Sequence, residues 1–292
     1  MKLFGGNDAG VGNAPPPASA KVHVVKPGLA EPEPAIEKET RVEPLHIEYS
    51  QTRVMGDAGA RLQRRHGIVR NDRSTLSESF KMLRNQVLQR MRAEGQRLIA
   101  VTSPRAIEGK SLTAVNLALS IAADFDTAVL LVDADLGGHG LQALFGLQDA
   151  RGLGDHLIDG VPIAELLVNP GVARFVFLPA GRKAVRDSAE LIATKAAQHL
   201  IREMKERYPD RYIVVDLPPL LDTADALAFL PQVETTLFVV EEHTTSVQDM
   251  ESAAELLAPF NLIGTVMSQR REEGPDATTR PAPWYRRWIR RT

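Results

Sequence analysis

The chain contains no cysteine. Disulfides, a thiol nucleophile and a cysteine-built zinc site are therefore excluded, and the composition fits a reducing compartment. It has no run of about 18 apolar residues, so no membrane-spanning helix is expected. Its first residues, MKLFGGNDAGVGNAPPP, lack the apolar core of a signal peptide. The expected location is the cytoplasm, and any membrane association has to be indirect, through a partner. An excess of charge of one sign is missing too. The formal net charge is -2 at pH 7, which gives no electrostatic case for nucleic acid as a partner. No internal repeat is visible, and none of the seven histidines falls into a metal-ligand spacing. What the chain does have is 43% hydrophobic residues over 292 positions, enough to bury a sizeable core.

Residues 1–70 are rich in Pro, Gly, Ala and Glu, as in NAPPPASA and KPGLAEPEPAIEKE, and show no sustained apolar period. They read as a disordered arm. From Leu76 the texture changes. TLSESFKMLRNQVLQRM places Phe80, Leu83, Val87 and Met91 at helical spacing, with Ser77 as the expected cap. Apolar runs follow at 97–103, 127–133, 174–180, 211–219, 235–241 and 262–267. Helical patterns lie between them: one after Ser111 carrying Leu112, Val115, Leu119 and Ala122, others over 189–207 and 246–257. The strands are short, continuous and rich in Val, Ile and Leu, as expected when helices cover both faces of a sheet. The fold class is α/β, a mostly parallel central sheet flanked by helices, over residues 71–270. A tail rich in Arg and Trp occupies 271–292. In such sheets ligands bind beyond the carboxyl ends of the strands, which directs attention to 103–111, 133–135, 216–219 and 241–243.

Three motifs stand at those ends. In SPRAIEGKSL, Gly109-Lys110-Ser111 opens a helix directly after a strand. Backbone N–H groups at a helix N-terminus favour a phosphate, Lys110 would reach the β- and γ-phosphates, and Ser111 would give its hydroxyl to Mg²⁺. In VLLVDADL an apolar strand ends in Asp133, with Asp135 two residues on. Paired carboxylates at a strand tip suit a hard cation that keeps oxygen ligands and water. In YIVVDLPP a strand ends in Asp216 and is stopped by two prolines. Each motif alone has an ordinary explanation, as solvated acids or a helix cap. Their order and shared position at strand ends read as a Walker A loop, a second acidic Walker motif and a Walker B strand: a P-loop NTPase.

These segments, with SESFKMLRNQVLQRM before them and AAELLAPFNLIGTV after, resemble the bacterial tyrosine kinases of the CpsD/CapB capsule and exopolysaccharide type. The resemblance runs from about Glu48 to Gln269. It implies an ATP- and Mg²⁺-dependent enzyme that phosphorylates tyrosines of its own C-terminal tail and regulates polysaccharide polymerisation and export. The implied nucleotide contacts are Gly109, Lys110, Ser111, Leu112 and Ser268. Lys110 and Asp133 would be catalytic, Asp133 activating the acceptor hydroxyl, and Ser111, Asp135 and Asp216 would hold Mg²⁺. Glu78, Lys81 and Arg84 occupy the positions of a family oligomerisation motif, which makes a homo-oligomer possible. The implied partner is a membrane adaptor of the chain-length-determinant (Wzz-like) type, which would recruit the protein to the inner face of the cytoplasmic membrane.

The sequence also departs from that pattern. Ile107 stands where the family loop carries Gly, and Gly137, Gly138, His139 and Gly140 replace an Arg and a Pro. Arg105, five residues before Lys110, is the candidate compensating cation. Ser268 replaces an Asn expected against the adenine ring. The tail PAPWYRRWIRRT offers one tyrosine, Tyr285, as a possible phosphoacceptor. Two readings follow: an active autokinase, and a nucleotide-responsive regulatory subunit without efficient transfer. A partition-type ATPase is a third, opposed by the helix before the loop.

Overall fold

The computed structural model describes residues 52–55, 62, 68–69 and 72–268, apart from 107–108, 139, 183–184 and 208–209. Its frame is an eight-stranded sheet. The strands are β1 (Arg53–Val54), β2 (Leu98–Thr102), β3 (Ala128–Asp133), β4 (Val168–Asn169), β5 (Phe175–Leu178), β6 (Arg211–Asp216), β7 (Thr235–Glu241) and β8 (Leu262–Ser268). Their order is β1-β4-β5-β3-β6-β2-β7-β8. Every pairing is parallel except β4 with β5.

Every residue of β2, β3, β5, β6 and β7 is buried. That explains their unbroken apolar runs: helices cover both faces. Alternate residues of β2 serve opposite faces, Ile99 and Val101 joining one apolar cluster, Leu98 and Ala100 the other. The first cluster contains α1 (Thr75–Ala93) through Phe80, Leu83, Val87 and Met91, and α2 (Lys110–Ala122) through Val115, Leu117 and Ile121. After β2 the chain passes along α2 and returns as β3 on the far side of β6. After β6 it continues to β7, on the other side of β2. The carboxyl end of β2 therefore lies where successive connections diverge, the position at which open α/β sheets bind ligands.

The remaining helices are α3 (Gly140–Phe145), α4 (Leu153–Asp159), α5 (Ile163–Leu166), α6 (Ser188–Ile192), α7 (Lys195–Arg207), α8 (Asp225–Phe229) and α9 (Val247–Leu257). Three expectations are corrected. The cap of α1 is Ser74, not Ser77: Ser74 Oγ accepts from the Ser77 amide, and Asp72 Oδ1 holds both serine hydroxyls at 2.6 Å. The continuous helix expected over 189–207 is two helices, because Thr194 Oγ1 accepts from Ala197 N and starts α7 afresh. Part of the stretch expected as an arm is built into the fold. Arg53–Val54 pair with β4, and Leu62, Ile68 and Val69 are buried. Asn116, a polar residue inside α2, is explained by this: its Oδ1 accepts from Val69 N at 2.8 Å. Residues 1–51 and the tail 271–292 lie outside the described residues.

One glycine is indispensable for space. A Cβ on Gly152 would sit 2.0 Å from the Pro179 carbonyl oxygen, where Leu153 N already donates at 2.7 Å. Gly152→Ala is expected to destabilise the protein by on the order of 3 kcal/mol, the cost of overpacking a close backbone contact. Thermal unfolding checks this.

Candidate nucleotide site

The ladder between β3 and β6 sets Asp133 beside Asp216, and that between β2 and β6 sets Asp216 beside Val101. Three strands thus end at one level, and two of them end in aspartate. From β2 the chain turns back through the loop to Gly109, which caps α2 with φ 79°. That left-handed conformation suits glycine, and a Cβ there would stand 3.0 Å from Ser268 Oγ at the end of β8. Ser268 therefore packs against the loop.

Lys110 begins α2 and is almost fully buried. Its ammonium lies 3.4 Å from Asp135 Oδ2, 3.5 Å from Asp216 Oδ1 and 3.2 Å from Ser111 Oγ. Ser111 Oγ donates to Asp216 Oδ2 at 2.6 Å. Asp133 Oδ1 accepts the Asp135 amide at 3.3 Å, and Asp135 Oδ1 accepts the Gly138 amide at 3.0 Å. A Cβ on Gly138 would touch the Asp135 carboxylate at 3.0 Å, so a small residue there lets the acid lie over its own turn. The structure thus brings Gly109, Lys110, Ser111, Asp133, Asp135, Asp216 and Ser268 to one end of the sheet.

The electrostatics are those of crowded, dry carboxylates around one cation. Burial, then Asp216 and Asp135, push the Asp133 carboxyl well above its ordinary value. Burial raises Asp216 as well, opposed by Lys110 and Ser111. Burial alone would lower Lys110, but Asp216, Asp135 and Asp133 together raise it. Asp133 Oδ2 is buried without a hydrogen-bond partner, and Asp216 Oδ1 has none beyond its 3.5 Å ion pair. Such orphaned acceptors fit a cation-binding role. Among the described residues no three His, Cys, Asp or Glu side chains form a metal cage of their own. Ser111 Oγ beside the Asp216 carboxylate suits Mg²⁺, which binds through one or two carboxylates and completes its shell from phosphate and water.

A stability effect follows. Because the folded-state value of Asp133 is raised, its contribution is fully present below the unfolded carboxylate value near 4 and is lost as pH rises through the folded value. Asp133→Asn is expected to raise the unfolding temperature of the nucleotide-free protein near pH 7. A domain of this size gains roughly 2–4 °C for each kcal/mol recovered. The advantage should shrink toward pH 4, and thermal melts across that range measure it.

Leu112 follows Ser111 on the first turn of α2 and is exposed there. Lys81 pairs with Glu78 at 2.8 Å on α1, whereas Arg84 turns inward and donates to the Ser120 carbonyl near the end of α2 at 3.0 Å. The structure brings Glu78 to Lys81 and commits Arg84 within its own chain. Arg105 is bound by Asp222 and Asp249, each at 2.9 Å, and does not join the Lys110 cluster. These two acids were missed. Ile107, His139, Gln269 and Tyr285 lie outside the described residues.

The fold and this loop-and-aspartate constellation define a P-loop NTPase, a nucleotide-binding class. The family model described as ParA, NUBPL iron-transfer P-loop NTPase, matches residues 94–267, and the chain belongs to that family. It is 33% identical over 176 residues to the succinoglycan biosynthesis transport protein ExoP of Rhizobium meliloti, covering 60% of this chain and 22% of ExoP. It is 25% identical over 200 residues to the putative tyrosine-protein kinase CapB of Staphylococcus aureus, covering 68% of this chain and 86% of CapB. Among solved structures, the kinase domain of Escherichia coli tyrosine kinase ETK superposes with a TM-score of 0.64 at 21% identity. That match covers 81% of this chain and 95% of the domain, and it bears on the fold.

Proposed function

We propose that this protein is an ATP-dependent protein-tyrosine kinase, acting on itself or a partner, that regulates capsular or exopolysaccharide synthesis, chain length and export. The observation that carries the proposal is the meeting of Lys110, Ser111, Asp133, Asp135 and Asp216 at one helix N-terminus. Relatives named for tyrosine phosphorylation and for succinoglycan transport support the reaction and the pathway class. The family description's iron transfer is not carried over, since the chain has no thiolate to hold an iron–sulfur cluster.

In this reading the N–H groups at the start of α2 cradle the phosphates, and Ser268 lies toward the base. Lys110 leaves its carboxylates for the β- and γ-phosphates and neutralises the charge that develops on them. Ser111, Asp135 and Asp216 would hold Mg²⁺, which supplies further charge neutralisation when bound. Asp133, its carboxyl made more basic by burial, takes the proton of the acceptor tyrosine. The phenolic oxygen bonds to the γ-phosphorus as the bond to the β-phosphate oxygen breaks, releasing ADP. No helix among the described residues is long and apolar enough to cross a membrane. Recruitment to the inner membrane face by an adaptor of the chain-length-determinant type is part of this reading, with Tyr285 as one acceptor and the Glu78–Lys81 side of α1, beside Arg84, as a self-association face.

A second reading, a nucleotide-responsive regulatory subunit, is favoured by one observation. Gly138 supports the Asp135 carboxylate where the resemblance leads one to expect a cationic loop. Incubation with labelled ATP and Mg²⁺, followed by phosphotyrosine mapping, decides between the two. The kinase reading expects label on Tyr285 or another tyrosine of this chain or of the adaptor. Its absence from all of them leaves the regulatory reading.

A further inference from the structure

The phosphate loop is pinned at both ends, and its first half is held by groups outside the nucleotide site. The β2–β6 ladder does not stop at the strands. Leu217 N donates to Val101 O at 3.0 Å, Leu220 N to Ser103 O at 2.9 Å and Leu221 N to Pro104 O at 3.0 Å. The next contact is made by a side chain: Ala106 N donates to Asp222 Oδ2 at 2.9 Å. Asp222 Oδ1 accepts from Arg105 Nη1 at 2.9 Å, so one carboxylate grips two successive residues of the loop. The same guanidinium reaches α9, where Asp249 Oδ1 accepts from Arg105 Nε at 3.0 Å and Nη2 at 2.9 Å. Asp249 is itself fixed, its Oδ2 accepting from Ser246 Oγ at 2.9 Å and its amide donating to that oxygen at 3.0 Å. Ser103 Oγ donates to the Arg105 carbonyl at 2.6 Å.

We infer that Asp222 is a positioning residue for the phosphate loop, acting through the amide of Ala106 and the guanidinium of Arg105. The inference rests on the reading that this loop binds a nucleotide. A loop poor in glycine needs its direction set from outside. Asp222 fixes Arg105 and Ala106 where the loop starts, and the left-handed Gly109 fixes where it joins α2, so both of these ends are set before ligand arrives. Arg105 is about half exposed and Asp222 and Asp249 less so, and such pairs add little to global stability. Their effect should therefore appear in nucleotide affinity rather than in unfolding.

The opposite role for Arg105 makes the sign decisive. If it were a phosphate-binding cation held off by Asp222 and Asp249, removing Asp222 would strengthen nucleotide binding. Positioning requires weakening. The test is calorimetric titration of the full chain with MgADP at fixed salt, alongside thermal melts and, where transfer is measurable, KM and kcat for ATP. Asp222→Ala should weaken binding about tenfold with a nearly unchanged melting temperature, raising KM more than it lowers kcat. Asp222→Asn keeps an oxygen for Ala106 N and should recover most of that loss. Combining Arg105→Ala with Asp222→Ala should cost no more than Asp222→Ala alone. Unchanged or tighter binding by Asp222→Ala, or an Asn variant as weak as Ala, overturns the inference. A wild type that binds no MgADP overturns the nucleotide reading and this inference with it.

Discussion

Lys110→Ala is expected to weaken MgATP binding at least about 100-fold, equivalent to roughly 2.7 kcal/mol. The lysine is the cation nearest the expected phosphates, and in this structure it neutralises Asp135 and Asp216 at 3.4 and 3.5 Å. Two consequences follow from that double duty. With nucleotide, the variant loses the charge-assisted contact to the β- and γ-phosphates. Without nucleotide, it leaves buried carboxylates facing one another without a counter-charge, so it should melt lower than wild type near pH 7. That second loss should diminish as pH falls, because protonation removes the repulsion. Equal affinity for MgATP in the two proteins, measured by calorimetry, would remove the lysine from the nucleotide site.

Asp133→Asn is expected to lower the rate of phosphoryl transfer about 10³-fold, within the usual contribution of a general base, while leaving MgATP affinity within a few-fold of wild type. Asp133 differs from its neighbours: its Oδ1 accepts the Asp135 amide, and its Oδ2 stays buried without a hydrogen-bond partner. An acceptor held ready in that way costs stability in the empty protein, and the same substitution should therefore stabilise the fold. Loss of transfer together with a gain in melting temperature separates a chemical role from a structural one. A structural role would lower both. Single-turnover transfer with a tyrosine acceptor, beside melts of the same preparations, makes the comparison.

The sheet was legible because its central strands are buried on both faces and cannot alternate with polar residues. The six runs from 97–103 to 262–267 are the strands β2, β3, β5, β6, β7 and β8: the first four lose one to three residues at an end, β7 matches its run, and β8 runs on to Ser268. The two-residue strands β1 and β4 carry too little sequence to show a period. The helices α3 to α5 are four to seven residues long, below the length at which a 3.6-residue repeat can be recognised. The break at Thr194 was hidden because apolar spacing continues across it, while a single threonine cap restarts the helix. At the site, residues at strand ends were readable because chain order and parallel register bring them level, as Asp133 and Asp216 show. Asp222 and Asp249 were not. They lie 117 and 144 positions from Arg105, and no local pattern marks a carboxylate that folds back on a loop so far away in sequence.

A crystal structure of the protein with Mg²⁺ and a non-hydrolysable ATP analogue tests the central claim most directly. The account predicts the triphosphate at the amino end of α2, with Lys110 moved from Asp135 and Asp216 onto its oxygens. Mg²⁺ would be held by Ser111, Asp135 and Asp216, and Asp133 would face the γ-phosphate. An analogue bound elsewhere, or bound with Lys110 still resting on the two carboxylates, would contradict it.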